Sequence, residues 1–134
     1  MNVKIDTKEI FYVISIMDSE LTANMSAILL ALIAKKQEDE TKSVILNFEK
    51  VQQMDKDFTP VLNILKENLY ADSKSFVICN LSENVKQNLS NWGLLEAINH
   101  TPTESEAWDI VQMEEIEREL LDSDDMEFEV PKEE

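Results

Sequence analysis

The order of hydrophobic patterns along the chain predicts one layered α/β domain built on a mixed sheet. Short, bulky apolar runs that are typical of strands alternate with segments whose apolar residues recur at helical spacing, in the order β, β, α, β, α, β, α, β, α. The length of 134 residues suits a single core. We therefore expect a mixed sheet of four or five strands and about four helices within residues 1–121, followed by an acidic tail over residues 122–134.

The start of the chain predicts a hairpin and a helix. Val3 and Ile5 alternate with polar residues, and the denser apolar run 11–16 follows, so the two segments are expected to pair across residues 6–9. Thr22 is expected to cap the first helix. The inward face of that helix is predicted to carry Met25, Ile28, Leu29, Leu32 and Ile33.

The middle of the chain predicts a buried strand and a second helix. Residues 44–48 are bulky and apolar apart from Asn47, which favours a buried strand. Residues 58–70 favour a helix with Pro60 in its first turn, where backbone amides have no partner within the helix. The buried side of this helix is predicted to carry Val61, Leu62, Leu65 and Leu69.

The next part of the chain predicts a strand, a short helix and a last strand. Residues 75–79 favour a fourth strand, and Ser82 is expected to cap the third helix. Gly93 stands where a left-handed residue would end that helix, with Leu94 packing back on Leu89. Residues 95–98 favour a last short strand.

The final helix is expected to begin in the turn at residues 99–103. Two capping boxes fit, Thr101 with Glu104 or Thr103 with Glu106, and the sequence does not choose between them. The inward face of this helix is predicted to carry Ala107, Ile110, Val111, Leu120 and Leu121.

The end of the chain has a different composition from the rest. Residues 114–134 contain eleven acidic and two basic residues, and no apolar face repeats after Leu121, which predicts a disordered tail. Met126, Phe128 and Val130 alternate with acids in this tail. They indicate a short docking segment, an added strand or part of a solvated tail.

Charge and composition narrow the class of partner. The net charge of −16 opposes binding to nucleic acid or to anionic membranes, so another protein is the expected partner. A single glycine excludes glycine-rich phosphate-binding loops, and no cofactor is expected. With no apolar stretch near 18 residues and no secretory signal, a cytoplasmic protein without direct membrane insertion is predicted.

Few residues suggest catalysis or metal binding. Cys79 lies within an apolar run and is expected to be a buried small hydrophobe, while His100 is expected to be a solvated loop residue. Asp55 and Asp57 resemble paired carboxylates for acid/base work or a hard metal, but a helix cap and a surface charge explain them as well, and no third ligand stands out. We therefore expect no catalytic residues and no metal site.

The order of elements and three local signatures resemble the STAS domain of bacterial anti-sigma factor antagonists over residues 1–115. Ser19, Glu20, Leu21 and Thr22 look like the family's Gly-Glu-Leu-Asp approach to the first helix, and SVILNFEKVQQMD (43–55) looks like its strand and approach to the second helix. ICNLSENVKQNLSNWGLLEAI (78–98) looks like its fourth strand, third helix, glycine stop and fifth strand. The resemblance implies a non-enzymatic regulatory domain that binds other proteins.

The resemblance also assigns a role to the approach to the second helix. In the family this approach ends in Asp-Ser-Ser-Gly, and an anti-sigma factor that is also a kinase phosphorylates the second serine. Here Asp55, Lys56, Asp57 and Phe58 occupy the four positions, so serine phosphorylation is not expected there. The resemblance implies partner binding by Asp55, Lys56, Asp57, Phe58 and Thr59.

Three interpretations of Asp57 follow. It mimics a phosphoserine, although a carboxylate carries less charge than a phosphate; or it only caps the second helix by accepting the amide of Thr59. In the third interpretation, Asp57 and Phe58 form a changed contact surface, with Phe58 exposed as an anchor for the partner. The alternative for Phe58 is burial against the sheet. The sequence does not show whether Thr59 is phosphorylated instead.

Two functions from different classes remain after these exclusions. The first is an anti-sigma factor antagonist-like module, a monomer or weak dimer, that acts on transcription or stress signalling through an anti-sigma factor or a histidine-kinase-like ATPase. The second, also implied by the resemblance, is an accessory subunit of a membrane lipid or anion transporter. An enzyme with a hard-metal site at Asp55 and Asp57 is a distant third.

Overall fold

Strands and helices alternate along the computed structural model, which describes residues 1–124. Two single-turn 3-10 helices, Lys56–Phe58 and Leu95–Ala97, lie between the main elements. The main elements in chain order are β1 (Val3–Thr7), β2 (Phe11–Ile16), β3 (Glu20–Leu21), α1 (Met25–Asp39), β4 (Ser43–Asn47), β5 (Gln53–Met54), α2 (Pro60–Ala71), β6 (Phe76–Cys79), α3 (Glu83–Asn91), β7 (His100–Thr101) and α4 (Glu104–Asp124).

Five of the strands form one mixed sheet in the order β1-β2-β4-β6-β7. β1 and β2 are antiparallel, with Ile5 opposite Ile14, and every other pair is parallel. β2, β4 and β6 are almost wholly buried because they occupy the middle of the sheet, which explains their continuous apolar runs. The hairpin, the mixed sheet and the single α/β domain predicted from the sequence are confirmed.

Helices cover both faces of the sheet. Alternate residues of β2, β4 and β6 pack with Leu29 and Ile33 of α1 and with apolar residues of α2 and α3 in the larger core cluster. The other residues of these strands pack with Ala107 and Val111 of α4 in a second cluster. The protein therefore has three layers, with α1, α2 and α3 on one side of the sheet and α4 on the other.

A second, two-stranded sheet is formed by β3 and β5, which run parallel with Leu21 opposite Met54. The backbone amide of Gln52 donates to the carbonyl oxygen of Ser19 at 2.7 Å, and the amide of Asp55 donates to that of Leu21 at 2.8 Å. This small sheet fixes the path of the chain just before α2.

The beginning of α1 differs from the prediction. The helix starts at Met25 after Asn24, and the hydroxyl of Thr22 donates to the side-chain oxygen of Asn24 at 2.6 Å, so the expected Thr22 cap is wrong. The backbone between Leu21 and the helix includes a turn closed by the Met25 amide and the Thr22 carbonyl. Of the residues predicted to face inward, Leu29 and Ile33 are buried, whereas Ile28 is exposed.

The ends of α3 agree with the prediction. The Ser82 hydroxyl accepts the amide of Val85 at 3.3 Å, which is the expected cap. Gly93 adopts φ +73°, and the amides of Gly93 and Leu94 donate to the carbonyls of Ser90 and Leu89 at 3.0 and 2.9 Å. These two bonds are the Schellman pattern, which ends a helix with a left-handed residue.

The strand predicted at residues 95–98 is wrong. Leu95–Ala97 is a 3-10 turn, and Leu95 packs against the larger core cluster together with Leu94, which precedes the turn. The last strand is His100–Thr101, paired with β6. A short run such as residues 94–98, apolar apart from Glu96, suits either a strand or a packed turn. The left-handed backbone at Gly93, just before this run, directs the chain into the turn. His100 therefore lies in a strand, and its expected position in a loop is wrong.

The start of α4 selects one of the two capping registers. The amide of Glu106 donates to the Thr103 hydroxyl at 3.2 Å, and that hydroxyl donates to the Glu106 carboxylate at 2.9 Å. Ala107 and Val111 are buried as predicted, but Leu120 and Leu121 are exposed. At 3.6 residues per turn Leu120 falls on the outward side of α4, and Leu121 borders a groove beside Tyr70.

The helix α4 reaches Asp124, three residues beyond Leu121, where the tail was expected to begin. Residues 125–134, with Met126, Phe128 and Val130, lie outside the described residues, so the disorder expected from the composition of the tail stays a prediction. Within residues 1–124, no helix combines the length and apolar character needed to cross a membrane.

Candidate partner-binding junction

The segment 55–59, hereafter the junction, connects the small sheet to α2. β5 ends at Met54, a 3-10 turn covers Lys56–Phe58, and α2 begins at Pro60. The amide of Phe58 donates to the carbonyl of Asp55, and the amide of Thr59 donates to that of Lys56, both at 3.0 Å. The junction is therefore a closed turn that leads directly into the helix.

Three exposed residues of the junction lie between buried ones. Met54 and Phe58 are buried in the larger core cluster, whereas Asp55, Lys56 and Asp57 between them are exposed. The two buried side chains anchor the turn to the core at both ends. The three charged side chains are consequently displayed on a fixed backbone, which suits recognition by a partner.

The helix-cap interpretation of Asp57 is wrong. Asp57 lies inside the 3-10 turn, and the residue that precedes α2 is Thr59. The Thr59 amide, which Asp57 was expected to accept, donates to the carbonyl of Lys56. Because the turn already supplies an acceptor for that amide, the Asp57 carboxylate is left facing solvent near the start of α2.

The exposed-anchor interpretation of Phe58 is also wrong, because its side chain is fully buried. Thr59 is buried as well, and its hydroxyl donates to the Lys56 carbonyl at 2.6 Å. A kinase would have to break that hydrogen bond and expose the hydroxyl before it could transfer phosphate to Thr59. Of the five residues predicted to bind a partner, Asp55, Lys56 and Asp57 are the accessible ones.

Polar groups of neighbouring elements lie next to the junction. Glu20, exposed on β3, is the register partner of Gln53 on β5. Asn84 of α3 donates its side-chain amide to the carbonyl of Gln52 at 2.9 Å, which ties α3 to the segment leading into the junction. The surroundings of the junction are thus contributed by β3, β5, α2 and α3.

Cys79 and His100 occupy neighbouring strands but opposite faces of the sheet. Cys79 packs in the cluster beneath α4, and burial raises the pKa of its thiol to about 12, with Glu104 and Glu49 adding to the effect. His100 pairs in register with Ile78, one residue before Cys79. Burial and the nearby Lys86 lower the pKa of His100. Since side chains alternate along a strand, the two residues do not form a nucleophile and base pair.

A partly buried polar cluster joins the ends of β4 and β6 to α4. The side-chain amide of Asn47 donates to Glu104 at 3.0 Å, and its oxygen accepts from the side-chain amide of Asn80 at 3.2 Å. Trp108 donates its indole N–H to Glu104 at 3.1 Å. Sequence reasoning noted Asn47 only as an interruption of an apolar run. An asparagine within a buried run is the signal that could have pointed to this cluster.

Metal ligands do not come together in the part of the chain that the structure describes. Within residues 1–124, no group of three or more His, Cys, Asp or Glu side chains is arranged to hold an ion. Asp55 and Asp57 lie on the surface of a turn with Lys56 between them. The ammonium group of that lysine adds a positive charge where a cation would have to bind.

The sequence model of the STAS domain matches residues 3–107. The chain belongs to the STAS domain family. No curated protein matches it. The junction of this STAS domain lies inside the matched range, whereas most of α4 lies beyond it.

Solved structures show the same fold as this STAS domain. Unphosphorylated SpoIIAA, an anti-sigma factor antagonist, has a TM-score of 0.69 at 22% identity over 83% of this chain and 96% of that one. Phosphorylated SpoIIAA, described as a Bacillus cell fate determinant, has a TM-score of 0.61 at 21% identity over 82% and 99%. A serine-to-glutamate variant of RsbS from Moorella thermoacetica has a TM-score of 0.66 at 18% identity over 84% and 96%.

Proposed function

We propose that this STAS domain is a non-enzymatic regulatory module that binds an anti-sigma factor or a histidine-kinase-like ATPase through the junction. The observation that carries the proposal is the display of Asp55, Lys56 and Asp57 on a turn anchored by buried Met54 and Phe58. The resemblance of this segment to the Asp-Ser-Ser-Gly approach of anti-sigma factor antagonists supplies the class of partner.

We further propose that the junction is not regulated by reversible phosphorylation. Asp57, at the position that the resemblance gives to the phosphoserine, has no hydroxyl, and the Thr59 hydroxyl is buried and hydrogen-bonded. Asp57 adds one negative charge where a phosphate adds about 1.5 to 2 and three acceptor oxygens, and Lys56 offsets part of it. We infer that the junction stays in the state that binds the partner.

Affinity capture from the native cell extract tests the first part of this proposal. The wild-type chain should retain an ATPase of the anti-sigma kinase type, identified by mass spectrometry, and Asp57→Lys should retain at least tenfold less of it. Asp72→Lys is the matched control, because Asp72 is also exposed and lies at the other end of α2. Recovery of a transporter ATPase or permease instead would favour the accessory-subunit function.

A transfer assay with γ-labelled ATP tests the second part. The captured kinase should leave the wild-type chain unlabelled and should label Asp57→Ser, which restores a hydroxyl at this position. Binding of the wild-type chain should also be insensitive to ATP. The proposal would be contradicted if the wild-type chain became labelled. It would also be contradicted if ATP reduced kinase binding by the wild-type chain as much as by Asp57→Ser, because both results would show that a phosphate switch operates.

A further inference from the structure

The outward side of α4 carries an apolar stripe formed by Met113, Ile116 and Leu120. Their exposed fractions are 59%, 55% and 58%, although most large apolar side chains within residues 1–121 are buried or partly buried. At about 100° per residue the three side chains lie within about 60° of one another, and they extend over about 10 Å of the helix. They form one continuous surface, hereafter the α4 stripe.

The α4 stripe is not part of either core cluster. Ala107 and Val111, which are buried against the sheet, lie on the opposite side of the helix. The next inward contact is made by Arg118, whose guanidinium donates to the Ser75 hydroxyl at 3.0 Å. The stripe also lies beyond residue 107, where the match to the STAS domain family ends.

Acidic residues surround the stripe. Asp109, Glu117 and Glu119 are exposed next to it, and α4 contains nine acidic residues and one basic residue, Arg118. Arg118 also contacts Glu115 at 3.5 Å on the inward side, so it does not neutralise the charge around the stripe. The surface is an apolar centre with a negative rim.

This charge pattern selects among the possible occupants. A second copy of the chain would place two helices of the same negative charge against each other, and an anionic membrane would be repelled in the same way. A helix with leucines on one side and lysines or arginines beside them would match both the apolar centre and the rim. We propose that the α4 stripe binds a basic amphipathic helix of a partner protein, independently of the junction.

A model peptide and the full chain test this proposal. The probe is a fluorescein-labelled 14-residue helix of leucines and lysines, measured by fluorescence anisotropy, and the variant replaces Met113, Ile116 and Leu120 by serine. All charges remain in this variant, so a loss of binding isolates the apolar stripe from non-specific attraction to an acidic protein. We expect affinity to fall at least tenfold in the variant, and to fall in the wild type as salt is raised.

A matched control uses apolar residues exposed on the other layer. Ile28 and Ile64, on α1 and α2, are 48% and 42% exposed, and their double replacement by serine should leave peptide affinity within twofold of wild type. Circular dichroism should give the same helix content for all three proteins. The proposal would be overturned if peptide affinity fell equally in both variants or did not fall in the stripe variant. It would also be overturned if the wild-type chain were a dimer and the stripe variant a monomer.

Discussion

Replacing Phe58 tests whether the core anchors the junction. Phe58 is fully buried between the exposed Asp57 and the start of α2, at the position where the resemblance has glycine. Truncation of a buried phenylalanine to alanine costs about 3–5 kcal/mol, because apolar contacts are lost and a cavity remains. Phe58→Gly should cost about 0.5–1 kcal/mol more, since glycine loses more backbone entropy on folding.

Guanidinium chloride unfolding followed by circular dichroism measures this effect. We expect Phe58→Ala to lower the free energy of unfolding by about 3–5 kcal/mol without a change in m-value, and to lower Tm by about 12–20 °C in a chain of this length. Phe58→Leu, which keeps much of the volume, should cost about 1–1.5 kcal/mol. Lys56→Ala, two residues earlier and exposed, should change stability by about 0.5 kcal/mol or less.

The result that refutes this reasoning is a small one. If Phe58→Gly costs less than about 1 kcal/mol at an unchanged m-value, the aromatic side chain does not anchor the turn to the core. The three charged residues would then be displayed on a loosely held segment, and the structural basis for proposing the junction as a recognition surface would be lost.

Three smaller predictions follow from single residues. Cys79, with its pKa raised to about 12, should resist Ellman's reagent at pH 8 in the folded protein and react at once after unfolding. Gly93→Ala should cost about 1–2 kcal/mol from its φ of +73° alone, since the space for a Cβ is open, and Gly93→Asn should cost less. The pKa of His100 is lowered in the folded protein, so the unfolded chain binds this proton more tightly. The free energy of unfolding should therefore fall as pH drops through the ordinary histidine value near 6.5. His100→Gln should reduce this pH dependence, measured by denaturant unfolding at a series of pH values.

Local pattern was sufficient for the strands of the main sheet. Residues 11–16, 44–48 and 75–79 are bulky enough that their burial follows from composition, and β2, β4 and β6 are found there. The short strands β3 and β5 are different, since each has two residues and exists only because the chain returns to pair Leu21 with Met54. No periodicity can show in two residues, so this pairing was not predictable from the sequence.

The candidate site was predictable in position but not in geometry. The charges at residues 55–57 and the apolar residues beside them locate the junction in the sequence. The role of Asp57 depended on whether a 3-10 turn would supply the Lys56 carbonyl to the Thr59 amide, which is a matter of backbone path. Likewise, the partners of Asn47 lie 33 and 57 positions away, so its cluster depends on tertiary contacts.

Under the resemblance of the junction to the Asp-Ser-Ser-Gly approach, on which our proposal rests, Asp57 and Phe58 act in the same direction. A phosphate switch needs a group that gains charge and a segment that can respond to it. Asp57 removes the first requirement, because its side chain has no hydroxyl to modify. Phe58 acts against the second, because a buried aromatic holds the turn where a glycine would allow more backbone freedom. If the junction binds a partner as we propose, regulation must therefore act on the partner, on the amount of this protein, or through another surface such as the α4 stripe.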